Sequence, residues 1–272
     1  MSKKKTNNKP PRQRGIKLWI EGARLRTLPL AVSPIAIGAG AAAAATRFDL
    51  GLTMLALAVA MFLQIGVNFA NDYSDGVKGT DADRVGPIRL VASGMATAKS
   101  VKAAAFISFA IASIAGVWLS LLTSPLLILI GMLAIAAAWG YTGGKNPYGY
   151  SGLGEISVFT FFGLVATMGT YYVQTENITV LSFIVAIPMG ALACAILEIN
   201  NIRDRAHDEL AGKRTIAVRL GDTNARRLFV SLLLLAHVAA LATLAPTALL
   251  TLLVAPMSYS ISKLVLSDVI GK

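Results

Sequence analysis

Long apolar runs broken by polar and basic segments set the pattern of this chain. A helix that crosses the hydrocarbon core of a bilayer needs about 20 mostly apolar residues. By that measure the runs predict eight spans, at residues 28–46, 50–70, 101–122, 125–141, 154–174, 180–199, 228–245 and 247–261. The first span is rich in Gly and Ala through Ala41–Ala45, which suits close helix packing. Ahead of it, residues 16–23 predict a short interfacial helix with Trp19 at headgroup level. Residues 1–15 are polar, basic and Pro-containing, the composition of a disordered tail suited to anionic headgroups. The N-terminus is too polar for a cleavable signal peptide, and the first apolar run is a full span.

Composition agrees with the pattern. Apolar residues make up 55% of the 272 and charged residues only 14%, against about 25% charge in soluble domains. The formal net charge of +11 could point to nucleic acid, but its placement argues for a membrane. With eight spans and the N-terminus inside, 24 of the 25 Lys and Arg fall in or at the edge of cytoplasmic segments, and only Arg47 lies outside. That asymmetry is the positive-inside pattern, so the expected protein is a multi-pass protein of a bacterial-type cell (inner) membrane, with no nucleic-acid partner. The single cysteine, Cys194, lies within a span and reads as a packed thiol, and His237 reads as a packed histidine.

Chemistry concentrates where two spans end. Asn68-Phe-Ala-Asn-Asp-Tyr-Ser-Asp75 closes the second span, and Asn200-Asn-Ile-Arg-Asp204-Arg-Ala-His-Asp208 closes the sixth. In each, an Asn precedes an Asp by four residues (Asn68/Asp72, Asn200/Asp204), so each pair shares a helix face. Asn and Asp at a helix end are commonly caps. Two copies on one side, each followed by a basic loop, weigh against that reading and suggest two parallel repeats. The first loop, 76–99, carries Lys78, Asp81, Asp83, Arg84 and Arg89; the second carries Lys213, Arg214, Arg219, Asp222, Arg226 and Arg227. A glycine-bearing segment, Tyr141-Thr-Gly-Gly-Lys145-Asn-Pro-Tyr-Gly-Tyr150, joins spans four and five, with Glu155 beyond it. Glu198 sits one turn inside the second motif.

Carboxylates and amides at facing helix ends form a hard-oxygen set that suits Mg²⁺, which completes its shell with water and substrate phosphate. Lys and Arg nearby then read as diphosphate partners, and an apolar bundle offers room for a lipid tail. Together these parts suit an enzyme acting on a lipid diphosphate. A secondary transporter for an anionic metabolite is the competing class, but it would place its charges near mid-membrane.

These residues carry a family resemblance. Ala23-Arg-Leu-Arg-Thr-Leu-Pro29, Gly66–Gly76, Asp83-Arg-Val-Gly-Pro-Ile-Arg-Leu90, Tyr141–Tyr148 and Ala217-Val-Arg-Leu-Gly221 resemble the UbiA superfamily of intramembrane aromatic prenyltransferases, over residue 24 to about residue 261. Within it, they are most similar to the branch that prenylates 1,4-dihydroxy-2-naphthoate in menaquinone biosynthesis. The resemblance implies an all-α transmembrane bundle of nine helices, two parallel repeats around a central cavity. Eight are visible here, so 16–272 reads as one domain lacking the ninth. It also implies a Mg²⁺-dependent transfer from polyprenyl diphosphate to an aromatic acid acceptor, with 4-hydroxybenzoate as the alternative to dihydroxynaphthoate. Asn68, Asp72, Asp75, Asn200, Asp204 and Asp208 would hold the metal, with the four aspartates catalytic. Tyr141 and Lys145 match a YxxxK element near the diphosphate, and Lys78, Arg84, Arg89, Lys213 and Arg214 are further diphosphate candidates. The family's first motif is NxxxDxxxD, whereas Gly76 stands at its third position here. Asp75, Asp81 and Asp83 are each left open as the residue that completes it.

Overall fold

A computed structural model describes residues 15–80 and 87–267. Among them, the chain forms α1 (Ile16–Ala23), α2 (Pro29–Ala44), α3 (Leu50–Lys78), α4 (Ala98–Leu122), α5 (Leu126–Gly140), α6 (Gly154–Thr175), α7 (Val180–Leu210), α8 (Ile216–Leu241) and α9 (Thr251–Leu266). Helices α2 to α9 occupy the eight apolar runs. Six candidate spans are long and apolar enough to cross a membrane alone, the last with its short 3₁₀ lead-in Pro246–Leu250. The bent pair α1–α2 makes a seventh, and α5 is a shorter apolar helix.

Local signals set the helix ends. Arg24 adopts a left-handed conformation after α1, a 3₁₀ turn follows, and Pro29 opens α2 at its first position. The two helices meet at 49°. Trp19 of α1 packs edge-on against Phe69 of α3, with ring centroids 5.9 Å apart, so this helix is fastened to the bundle as well as lying at its edge. Asp49 caps α3 by accepting from Leu52 N, and Gly79 closes it in the left-handed conformation. Thr179 and Ser182 cap α7 reciprocally.

Two inner boundaries differ from the hydropathy reading. Helix α3 does not stop near residue 70 but runs to Lys78, and α7 does not stop near 199 but runs to Leu210. With 29 and 31 residues they exceed what a bilayer core requires, and both motifs are therefore helical. The expected long second loop shrinks to residues 211–215, because α8 starts at Ile216 and kinks at Gly221 (φ 74°, ψ 169°) rather than starting near 228. Arg226 and Asp222, expected among loop charges, instead fasten the last helix. Arg226 donates to Asp222 at 2.6 Å and, through Nη1, to the carbonyl of Val265 at the end of α9.

Helices α3 and α4 pack along their lengths, as do α7 and α8, so corresponding pairs recur in the two halves. Helix α6 contains a ten-residue π segment, Phe159–Met168, that packs on α7 and α2. Small residues bring these backbones together: a Cβ on Gly163 would lie 2.6 Å from the Cα of Gly190. Gly163→Ala is therefore expected to lower the thermal midpoint in detergent by about 2–10 °C, the usual cost of overpacking against backbone that cannot step aside. An unchanged midpoint in a thermal scan would refute so close an α6–α7 contact.

Candidate active site

Because α3 continues as a helix, Asn68, Asp72 and Asp75 (i, i+4, i+7) lie on one side of it, and all three are buried. Asn68 Nδ2 donates to the Ala23 carbonyl and to Thr27 Oγ1, both at 2.9 Å, and Gln64 Nε2 donates to the same hydroxyl. The motif thus holds the α1–α2 turn. Asp72, 1% exposed, accepts from Leu90 N at 2.8 Å and from Val91 N at 3.0 Å. It pins the segment after the first motif onto α3. Asp75 lies 3.6 Å from Arg89 and accepts from the Tyr150 hydroxyl.

The glycine at position 76 has a steric cause. A Cβ there would sit 2.6 Å from Val91 Cβ, where the segment held by Asp72 lies on the helix. Asp75, seven residues after Asn68, lies on the side of Asn68 and Asp72, while position 76, four after Asp72, faces the segment that Asp72 holds. Asp81, Asp83 and Arg84 lie outside the described residues.

The second motif is built alike. Asp204 and Asp208 are buried on one side of α7. Arg203 grips Asp204 with two hydrogen bonds, 2.7 and 2.8 Å, and Lys213 lies 3.4 Å from Asp208. Asn201, three residues before Asp204 and seven before Asp208, is on the same side, matching the seven-residue span from Asn68 to Asp75. Its amide donates to Glu155 Oε1 at 3.0 Å. Asn200 turns its amide back to Ile196 O on its own helix, next to an exposed position. Beneath them Glu198 is fully buried beside the Glu155 carboxyl, and Cys194 is a packed thiol that donates to the Glu155 carbonyl.

The two motif ends meet at one end of the bundle. His207 Nε2 lies 2.8 Å from the Thr80 carbonyl, and the segment between α5 and α6 bridges the rest. Thr142 donates to Asn71 and accepts from Lys78 Nζ at 2.6 Å. Tyr150 accepts from Arg214 N at 2.7 Å through its carbonyl and reaches Asp75 through its hydroxyl. Gly149 is required by closeness, since a Cβ would stand 2.6 Å from the Tyr141 carbonyl oxygen. The Tyr141 ring packs edge-on against Tyr148. Burial pushes the Tyr148 phenol above its ordinary pKa, while its hydrogen bond with Ser157 pulls the other way.

Of the sequence candidates, the structure gathers Asn68, Asp72, Asp75, Lys78, Arg89, Asp204, Asp208 and Lys213. Lys145 is exposed and touches none of these carboxylates among the described residues, and Arg214 contributes its backbone while its side chain faces out. Tyr150, Thr142 and Asn201 were not among the candidates. Tyr150 closes a glycine-bearing segment already singled out, which was its signal, and Asn201 stood beside the Asn chosen at i−4. Among the described residues no three or more His, Cys, Asp or Glu lie close enough to hold an ion by themselves. The donors present are buried carboxylates in two pairs, a set that fits a hard cation sharing its shell with phosphate oxygens and water. A groove of about 600 Å³ lined by Asp49, Leu52, Trp118 and Leu122 lies at the opposite end of α3 and contains no motif residue.

The chain is similar in sequence and in fold to known proteins. The chain is 49% identical over 220 residues to a 1,4-dihydroxy-2-naphthoate octaprenyltransferase of Mycobacterium tuberculosis, covering 81% of this chain and 75% of that protein. It is 39% identical over 223 residues to the octaprenyltransferase of that name from Escherichia coli, covering 79% and 72%. A UbiA homologue from Archaeoglobus fulgidus, solved with DMAPP and Mg²⁺, superposes with a TM-score of 0.64 at 14% identity, over 92% of this chain and 83% of that one. A homologue from Aeropyrum pernix gives 0.66 at 18% identity, over 93% and 90%. Residues 31–268 match the UbiA prenyltransferase family, and with this fold and these paired motifs the chain belongs to that family.

Proposed function

We propose that the protein transfers a polyprenyl group from polyprenyl diphosphate to 1,4-dihydroxy-2-naphthoate, releasing diphosphate and CO₂ and giving demethylmenaquinol, the reduced form of demethylmenaquinone. The observation that carries this reading is the convergence of four buried aspartates and their cations from two repeats at one end of an apolar bundle. The relatives named for that reaction, at up to 49% identity, select the acceptor. Breaking the allylic C–O bond places negative charge on the leaving diphosphate. Lys78, Arg89 and Lys213 stand at the aspartates where that charge would develop, and pre-placed cations stabilise it without reorganisation. Arg84, Lys145 and Arg214 are further cations for the same group.

Asp72, Asp75, Asp204 and Asp208 would hold Mg²⁺, with Asn68 and an Asn of the second motif beside them; the ion when bound supplies Lewis-acid neutralisation of diphosphate oxygens. The bundle keeps water from the allylic carbon until the electron-rich ring attacks it. The Lys/Arg asymmetry supports an inner-membrane setting with the N-terminus and the motif end cytoplasmic.

The test is prenylation by the purified chain in detergent, with Mg²⁺ and a prenyl diphosphate. Dihydroxynaphthoate is expected to be prenylated and 4-hydroxybenzoate to compete poorly. Preferential use of 4-hydroxybenzoate would reassign the acceptor, and no transfer to either would overturn the reading.

A further inference from the structure

Tyr150 belongs to neither aspartate motif, yet it touches both halves of the site. It stands in the 3₁₀ turn Tyr148–Ser151, held at its carbonyl by Arg214 N. Two ammonium groups approach its ring, Lys78 Nζ at 5.0 Å and Lys213 Nζ at 4.8 Å from the centroid. Lys78 ends α3 and Lys213 follows α7, so the charges come from opposite repeats and converge on one aromatic ring. Bringing like charges together is unfavourable unless an anion is to sit between them, and the ring quadrupole offsets part of that repulsion beforehand. Lys78 is tied as well to the Thr142 carbonyl, and Lys213 to Asp208. A lysine is a point charge on a flexible stem. Ordering two of them in advance lowers what the ligand must later spend in entropy. The Tyr150 hydroxyl meanwhile reaches Asp75 and lies 3.4 Å from Thr80 Oγ1.

We propose that Tyr150 is a positioning residue with two separable parts: its ring gathers Lys78 and Lys213 into one diphosphate-facing pair, and its hydroxyl orients Asp75. The inference rests on the prenyl diphosphate reading above, and its test uses binding, without the aromatic acceptor. The full chain in detergent is titrated calorimetrically with farnesyl S-thiolodiphosphate, a donor analogue that resists ionisation, at saturating and at limiting Mg²⁺. Tyr150→Leu is expected to weaken analogue binding about tenfold at saturating Mg²⁺, the effect of losing two cation–π contacts. Tyr150→Phe keeps that affinity within about twofold by retaining the ring, but raises the Mg²⁺ concentration for half-maximal binding about tenfold, as loss of a group orienting a metal ligand does.

Wild-type affinity in Tyr150→Leu overturns the proposal. So does Tyr150→Phe binding as weakly as Tyr150→Leu at saturating Mg²⁺, because the ring would then be irrelevant. Should Tyr150→Leu fail to fold, Lys78→Met and Lys213→Met decide. A double variant that loses less than the product of the single losses supports one ring-held unit, and simple multiplication of losses overturns it. If the wild-type chain binds no analogue, the donor reading itself falls; binding by wild type with an unaffected Tyr150→Leu removes this inference alone.

Discussion

Asp72→Asn is expected to lower kcat/KM by a factor of about 10²–10³, the range for removing one pre-placed electrostatic group from a site, while the helical bundle stays assembled. Both carboxylate oxygens of Asp72 accept backbone N–H groups, from Leu90 and Val91, at a residue only 1% exposed. An amide can supply one acceptor to that pair; its NH₂ then faces an N–H donor with nothing between them. Two donors left opposed in a buried position cost about 1–3 kcal/mol, enough to lift the segment that lays Val91 over Gly76 and brings Arg89 to Asp75. The variant therefore loses a negative charge and the placement of a cation together. Turnover measured beside helical content by circular dichroism separates this from unfolding. Near-normal turnover in a folded variant would remove Asp72 from the site.

That coupling also shows where the sequence was readable and where it was not. Hydropathy located eight apolar helices because bilayer thickness imposes a length that a run of residues displays directly. It misplaced the inner ends of α3 and α7 because a polar helix projecting from a membrane has the same backbone as its apolar part but a loop-like composition. The paired Asn and Asp residues were visible as a repeat. The meaning of Gly76 was not, since it depends on Val91 arriving from fifteen residues away through the bonds to Asp72. Asp75 looked misplaced by one residue against the family spacing, and only helical continuity puts it on the face of Asn68 and Asp72. In the second motif, spacing alone could not choose between adjacent asparagines; side-chain direction distinguishes Asn201, toward Glu155, from Asn200, toward its own helix. Tyr150 was out of reach for a similar reason. Its partners Asp75, Lys78 and Lys213 lie 75, 72 and 63 residues away, and no local pattern records that meeting.

Asp204→Asn is expected to reduce kcat by a similar factor of about 10²–10³, with a higher Mg²⁺ requirement and little change in the KM for dihydroxynaphthoate. Asp204 is gripped by Nε and Nη2 of its sequence neighbour Arg203. The substitution removes a charge but keeps the size of the side chain, so the capping box of α7 and the packing of Ile202 against Ala217, Ala225 and Phe229 of α8 stay in place. The decisive comparison is the double variant. If both motifs act on one diphosphate through one shared charge arrangement, either single loss disables most of it. Asp72→Asn with Asp204→Asn should then fall scarcely below the worse single variant, as groups acting as a unit do. Losses that multiply would instead mean that the two helix ends work independently. Full activity in Asp204→Asn would leave the second motif holding a structural ion pair, Arg203 with Asp204, and would confine the chemistry to the end of α3.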